Sequence, residues 1–249
     1  MDRTKFDRFA DDYHQLHARN IAVSGENTEF FHEYKIKILR CVVQERHMEP
    51  ARILDFGAGI GNSIPFFRRY FPKTRLVNVD VSRRSLEIAR ARFPGEAEEL
   101  EIEGQSIPAE ENSFDVCFSA CVFHHISHEE HRFWLGELLR VTRPGGMLAI
   151  FEHNPRNLLT VRAVNSCPFD SNAELIRAES LISKFGDSGW RNPQVNYHVF
   201  FPHALAGLRV FEPYLSGLPF GAQYSVIGEK EGSMRLKNGS RGQGGIVRD

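Results

Sequence analysis

Three glycines and two aspartates carry the most informative chemistry in this chain. They lie in Ile53-Leu54-Asp55-Phe56-Gly57-Ala58-Gly59-Ile60-Gly61-Asn62 and, further on, in Val77-Asn78-Val79-Asp80-Val81. The first segment joins an apolar run to an amphipathic one, the pattern of a strand, a turn and a helix. Glycine at alternate positions lets the backbone turn sharply and lets a ligand approach without a Cβ in the way. The helix start beyond the turn offers N–H groups that have no partner inside the helix. Gly57, Gly59 and Gly61 are therefore candidate ligand-binding residues. Asp80 ends the next apolar run, about 20 residues past the turn, where a carboxylate accepts the ribose hydroxyls of an adenosine ligand. Val81 follows it at the same edge.

Two adenosine cofactors fit this much. A dinucleotide loop spaced G-x-G-x-x-G would place its third glycine at position 62, where Asn62 stands. Asp55 separates the cofactors further. A carboxylate at the end of the first strand attracts an ammonium group and repels a pyrophosphate. S-adenosylmethionine carries the former and NAD(P) the latter. Loop capping is an alternative role for Asp55. Three functions stay open on these residues: methyl transfer, NAD(P)-dependent oxidoreduction, and cofactor binding without catalysis.

The surrounding pattern must position these groups. Short apolar runs at 52–55, 75–80, 100–103, 114–119 and 147–151 alternate with amphipathic segments at 62–69, 82–92 and 128–141. That alternation predicts a doubly wound α/β fold with a mostly parallel sheet. Ser82 is placed to cap the second of these helices. Upstream, Phe6, Phe9, Ala10 and Tyr13, then Phe30, Phe31, Tyr34, Ile38 and Val42, recur at helical spacing. Gly25 separates the two helices and Pro50 closes the second. Residues 153–170 read as a loop or lid, followed by a helix over 173–185. Strands at 195–201 and 223–228 flank a helix over 203–215. The last segment, 231–249, is glycine-rich and poor in apolar residues, and reads as a disordered tail. The division expected is a helical lid over 1–50, a cofactor-binding domain over 51–230, and the tail.

Several motifs together resemble the class I S-adenosylmethionine-dependent methyltransferases. Asp55-Phe56-Gly57-Ala58-Gly59-Ile60-Gly61 resembles the family's first motif, and Asp80 its ribose-binding acid. Glu103-Gly104-Gln105-Ser106-Ile107-Pro108 is similar to the adenine-holding segment, with Glu103 in the place of the usual aspartate. Asn112-Ser113-Phe114-Asp115 resembles the entry to the fourth strand, and Arg143-Pro144-Gly145-Gly146 the turn before the fifth. The resemblance implies a seven-stranded sheet with an antiparallel last strand. It also implies S-adenosylmethionine as cofactor, held by Asp55, the glycines, Asp80, Val81, Glu103, Gly104 and Ser119. Phe6 to Tyr13 is similar to the lid helix of small-molecule members, including those of quinone biosynthesis, which puts Tyr13 near the cofactor.

Methyl transfer from a sulfonium is an in-line displacement on a carbon already activated, so alignment of the partners supplies much of the rate. A hydroxyl or acidic-carbon acceptor also needs a base. His153 follows the fifth strand at the ligand-binding edge and is the first candidate; His125, after the fourth strand, is the second. A histidine holding the lid loop is the alternative role for His153, and packing the alternative for His125. Cys117 and Cys121 with His124 and His125 do not make a standard zinc spacing, so inert buried thiols and no metal site are expected. Phe200, Phe201, Phe211, Tyr214, Phe220 and Tyr224 either line an apolar pocket or fill the core. They point to an apolar or amphipathic small-molecule acceptor.

Composition narrows the partners. With 31 basic and 32 acidic residues the net charge is −1, which offers no basic face for nucleic acid. No apolar run reaches the roughly 20 residues of a membrane helix. Neither a signal peptide nor a disulfide framework is evident, so the expected compartment is the cytoplasm. The Asn/Asp-Pro-Pro-aromatic signature of amino-group methylation is missing after the fourth strand, where Ser119-Ala120-Cys121-Val122 stands. Nothing in the pattern assigns an oligomeric state.

Overall fold

The computed structural model describes residues 7, 26–167, 170 and 173–232. Tyr13, the first half of the expected lid apart from Asp7, and nearly all of the expected tail lie outside these residues. Among the described residues no helix is long and apolar enough to cross a membrane.

Seven strands run in chain order as β1 (Arg52–Phe56), β2 (Arg75–Asp80), β3 (Glu98–Glu101), β4 (Phe114–Ala120), β5 (Thr142–His153), β6 (Arg191–His198) and β7 (Gln223–Glu229). The helices are α1 (Thr28–Glu45), α2 (Ile64–Tyr70), α3 (Arg83–Arg92), α4 (His131–Val141), α5 (Leu158–Asn165), α6 (Ala178–Asp187) and α7 (Glu212–Leu215). The strands form one sheet in the order β3-β2-β1-β4-β5-β7-β6, and β7 runs antiparallel to both of its neighbours. The other neighbouring pairs are parallel. The fold is the doubly wound α/β architecture that the strand–helix alternation predicts.

Both faces of the sheet are covered, which is why the central strands are apolar without alternation. Leu54, Phe56, Val77, Val79, Leu148 and Ile150 pack with α4 and α6 in one cluster. Ile53, Leu76, Val116, Phe118, Met147 and Ala149 pack with α1, α2 and Ala89 of α3 in the other. On α1 the buried face is Phe31, Lys35, Ile36, Leu39 and Val43, offset from the expected stripe. The helix closes at Glu45, ahead of Pro50, with His47 in the left-handed region at φ 52°.

The edges differ most from expectation. β3 starts two residues early, because pairing with β2 decides its span and its glutamates suit an edge. β6 also starts early and carries Pro193, tolerated where the register slips between Arg191 and Gln194 on an edge strand. The turn expected at Arg143–Gly146 is absorbed into β5, where five residues span against two of β4. The presumed loop over 153–170 contains α5, capped by the Asn157 side chain accepting from the Thr160 N–H. Residues 203–215 form a 3₁₀ segment (His203–Phe211) and the single turn α7, not one helix.

Candidate cofactor and acceptor site

The chain steps from β1 to β2 and β3 on one side, then returns to β4 on the other. The carboxyl ends of β1 and β4 therefore bound the crevice where such sheets bind ligands. A cleft opens there. Its walls are the loop from Asp55 to Ile60, Asp80 and Val81 at the end of β2, and Ala120 to Val122 at the end of β4.

The glycines make this loop possible. Gly57 sits at φ 77°, and a Cβ there would lie 2.3 Å from Cγ2 of Val122. Its N–H and that of Ala58 both donate to the Val79 carbonyl, at 2.7 and 3.2 Å. Gly61, at φ 76°, lets the start of α2 close against Ala89, 3.0 Å from where its Cβ would stand. Asp80 locks the loop from the other side: its carboxylate accepts from the Gly59 N–H and the Ser82 N–H, each at 2.8 Å. Ser82 caps α3 as expected, accepting from the Ser85 N–H, and donates its own hydroxyl to Asp7 at 2.5 Å.

Both aspartates are withdrawn from water. Burial and, after it, the Asp80 charge raise the Asp55 carboxyl to about 7 against the opposing pull of Lys35. Burial also raises Asp80, against the N–H bonds from Ser82 and Gly59. The cleft thus holds a carboxyl that an incoming cation would ionise.

The opposite wall is richer in chemistry than its sequence suggests. Cys121 is in the left-handed region at φ 58°, which turns its half-buried thiol onto the cleft. Lys35, buried on α1, points Nζ at Sγ from 3.4 Å. Burial pushes this thiol up, but Lys35 and His153 outweigh it and bring it down to about 7. Cys117 is the inert thiol expected: buried, bonded to Thr142 and pushed up to about 12. Behind Cys121, Tyr34 donates to Gln223, whose amide lies 3.5 Å from Nδ1 of His153.

Next to this wall lies a buried ionic set. Glu152, 1% exposed, takes the backbone N–H groups of Val122 and Phe123 on Oε1 and binds Nδ1 of His124 through Oε2 at 2.6 Å. Burial alone would lower His124; Glu152 and Asp170 carry it up to about 10. Glu152 falls to about 2 despite its burial, chiefly through His124.

Residues 54–150 match the family model for a methyltransferase domain. The chain carries a methyltransferase domain. Similar proteins include a trans-aconitate 2-methyltransferase of Methylobacterium nodulans, 29% identical over 178 residues, covering 68% of this chain and 67% of the relative. A ubiquinone/menaquinone biosynthesis C-methyltransferase of Pseudomonas putida is 29% identical over 125 residues, covering 47% of this chain and 48% of the relative. This chain thus spans about half to two thirds of the curated relatives it matches. An S-adenosylmethionine-dependent methyltransferase from Thermotoga maritima shares the fold, with a TM-score of 0.65 and 20% identity over 92% of this chain and 99% of that one.

Within the methyltransferase domain, Asp55, Gly57, Gly59, Asp80, Val81 and His125 line the cleft. Gly61 shapes the loop from behind. Ser119 is wholly buried in β4, away from the lining. Glu103 and Gly104 are exposed just beyond Ile102, which does line it. His153 stands behind Cys121 and is not part of the lining. Of the aromatic set, Tyr224 is core, with its hydroxyl on the Ile176 carbonyl, while Phe211, Tyr214 and Phe220 are exposed. Cys121, expected to be an inert buried thiol, instead lines the cleft beside Lys35, and Lys35, Glu152 and Asp170 are not among the residues that sequence reading singles out. Lys35 could have been noticed as a charge inside an apolar helical face; the others gave no linear signal.

Proposed function

We propose that the protein transfers a methyl group from S-adenosylmethionine to a small-molecule acceptor. The observation that carries this reading is Asp55: a buried carboxyl beside a glycine loop and a second acid, Asp80, that accepts from the loop's Gly59 N–H. That pairing fits an adenosine ligand bearing an ammonium group and disfavours a pyrophosphate, which is why NAD(P) chemistry ranks below it. Gly59 lines the cleft with nothing within 4 Å of where its Cβ would stand, while Gly57 and Gly61 let the loop close on Val122, Ile64 and Ala89. Asp55 would take the α-ammonium, Asp80 and the loop the ribose, and Val81 and Ile102 the adenine side. Bound there, the cofactor supplies an electrophilic methyl on a sulfonium.

The remaining work falls to the wall after β4. It orients the acceptor and excludes water, with alignment as the main source of rate. His153, linked to Cys121 and Gln223, is the proposed proton acceptor for a hydroxyl or acidic carbon. The near-neutral charge supports a small acceptor over nucleic acid. His153→Ala is expected to lower kcat and leave cofactor affinity unchanged. Undiminished kcat would reduce His153 to a loop residue.

The reading is tested by calorimetry with S-adenosylmethionine, S-adenosylhomocysteine and NADH. The first two should bind saturably and NADH should not. Asp55 must be ionised to pair with the ammonium, so affinity should fall as pH drops below about 7 and level off above it. Asp55→Asn should weaken binding and flatten that pH dependence. NADH binding alone, or affinity indifferent to both pH and Asp55→Asn, would overturn the assignment.

A further inference from the structure

The geometry points to a divalent transition-metal site formed by His124, His125 and Asp170 beside the acceptor end of the cleft. Two chain segments far apart in sequence converge there. The turn after β4 supplies two imidazoles, and the segment between α5 and α6 supplies a carboxylate. Nε2 of His124 lies 3.7 Å from Oδ1 of Asp170, and Nε2 of His125 lies 3.4 Å from the same oxygen. One donor atom from each of the three lies within 4.8 Å of the others. A tetrahedral ion with bonds near 2.1 Å needs donors about 3.4 Å apart, so small side-chain rotations would bring this set onto one ion.

The surroundings are organised as a metal-bound histidine requires. Glu152 holds Nδ1 of His124 at 2.6 Å and is itself fixed by two backbone N–H groups. That keeps a proton on Nδ1 and turns Nε2 towards Asp170, so that an ion entering there would replace the second proton of His124. A buried carboxylate behind an imidazole is the outer-shell arrangement that orients metal-binding histidines. The Asp170 segment is tied to the same turn, because the Glu174 N–H donates to the His124 carbonyl at 2.8 Å. Linear spacing hides this site, since Asp170 follows His125 only after β5 and α5.

The donor set selects the ion class. Two imidazoles and one carboxylate suit zinc, manganese, iron or cobalt, and not magnesium or calcium, which prefer all-oxygen shells. Three protein donors leave coordination positions open. His125 also lines the cleft, so those positions face the acceptor. The ion would take an acceptor oxygen, a hydroxyl or an enolisable carbonyl, and favour its ionised form near neutral pH. That role rests on the methyl-transfer reading; the metal site does not.

Full-length protein, stripped with a chelator, is titrated with Zn²⁺, Mn²⁺ and Mg²⁺ by calorimetry, with S-adenosylmethionine titrated in parallel. One saturable Zn²⁺ or Mn²⁺ site per chain is expected, without a comparable Mg²⁺ site. Asp170→Asn and His125→Ala, each folded by circular dichroism, should lose it, and Glu152→Gln should weaken it by about 10- to 100-fold. Co²⁺ should give a visible ligand-field spectrum that disappears in Asp170→Asn. Absence of saturable Zn²⁺ and Mn²⁺ uptake, or uptake unchanged in both ligand variants, overturns the site. If S-adenosylmethionine still binds in that case, the methyl-transfer reading stands. Zn²⁺ uptake without S-adenosylmethionine binding would support the site and count against that reading.

Discussion

Gly57→Ala is expected to lose most of the cofactor affinity while the sheet stays folded. Two costs add at this position. The residue sits at φ 77°, where an L-residue pays about 1–2 kcal/mol. Its new Cβ would also stand 2.3 Å from Cγ2 and 3.1 Å from Cβ of Val122, a short branched side chain with little room to yield. The loop must therefore move, and its N–H bonds to the Val79 carbonyl hold the edge that lines the cleft. A displacement costing about 2–3 kcal/mol corresponds to a loss of roughly 30- to 150-fold in Kd. Calorimetry with S-adenosylmethionine measures it. Val122→Ala in the same chain should restore part of the affinity by removing the clash but not the backbone strain. Wild-type affinity in Gly57→Ala would show that the loop does not shape the site.

The largest stability effect is expected at Glu152. Alanine there leaves the Val122 and Phe123 N–H groups without their acceptor and strands a buried imidazolium. Breaking a buried pair by removing one partner costs about 3–5 kcal/mol. The pH dependence has a definite sign. Glu152 is lowered from 4.5 to about 2, so its contribution is present above 4.5 and lost as pH falls towards 2. His124 is raised from 6.5 to about 10, so its contribution is full below 6.5 and lost as pH rises through 10. The gap between wild type and Glu152→Ala should therefore be widest between about pH 4.5 and 6.5 in denaturant unfolding. Glu152→Gln keeps an acceptor oxygen and should lose less, which keeps the test usable if the alanine variant does not fold. Equal stability of all three across that window would mean that the pair contributes nothing.

These two positions also separate what a linear reading reaches from what it does not. Asp55, the three glycines and Asp80 are legible because a glycine turn between a strand and a helix is local. Strand, turn and helix start follow one another, and each residue type answers a backbone or charge requirement of its own segment. The central strands are legible for a similar reason, since burial on both faces leaves an unbroken apolar run. The outermost strands were misplaced by two to four residues because pairing with a neighbour sets their ends, and their own side chains carry little apolar pattern.

The wall after β4 belongs to tertiary structure alone. Cys121 looks like one more strand-end thiol until its positive φ and the arrival of Lys35 from α1 put a cation 3.4 Å from its sulfur. Glu152 and His124 lie on different strand ends, and Asp170 on a third segment, yet they meet because β4 and β5 are neighbours in the sheet and the Glu174 N–H pins the later segment to His124. The centre of the sheet and the glycine turn after β1 follow from the linear pattern, where each requirement is met within one run of residues. The buried ionic cluster comes from the packing of distant segments, because electrostatic partners are chosen by distance in space and burial, and neither is written in the spacing along the chain.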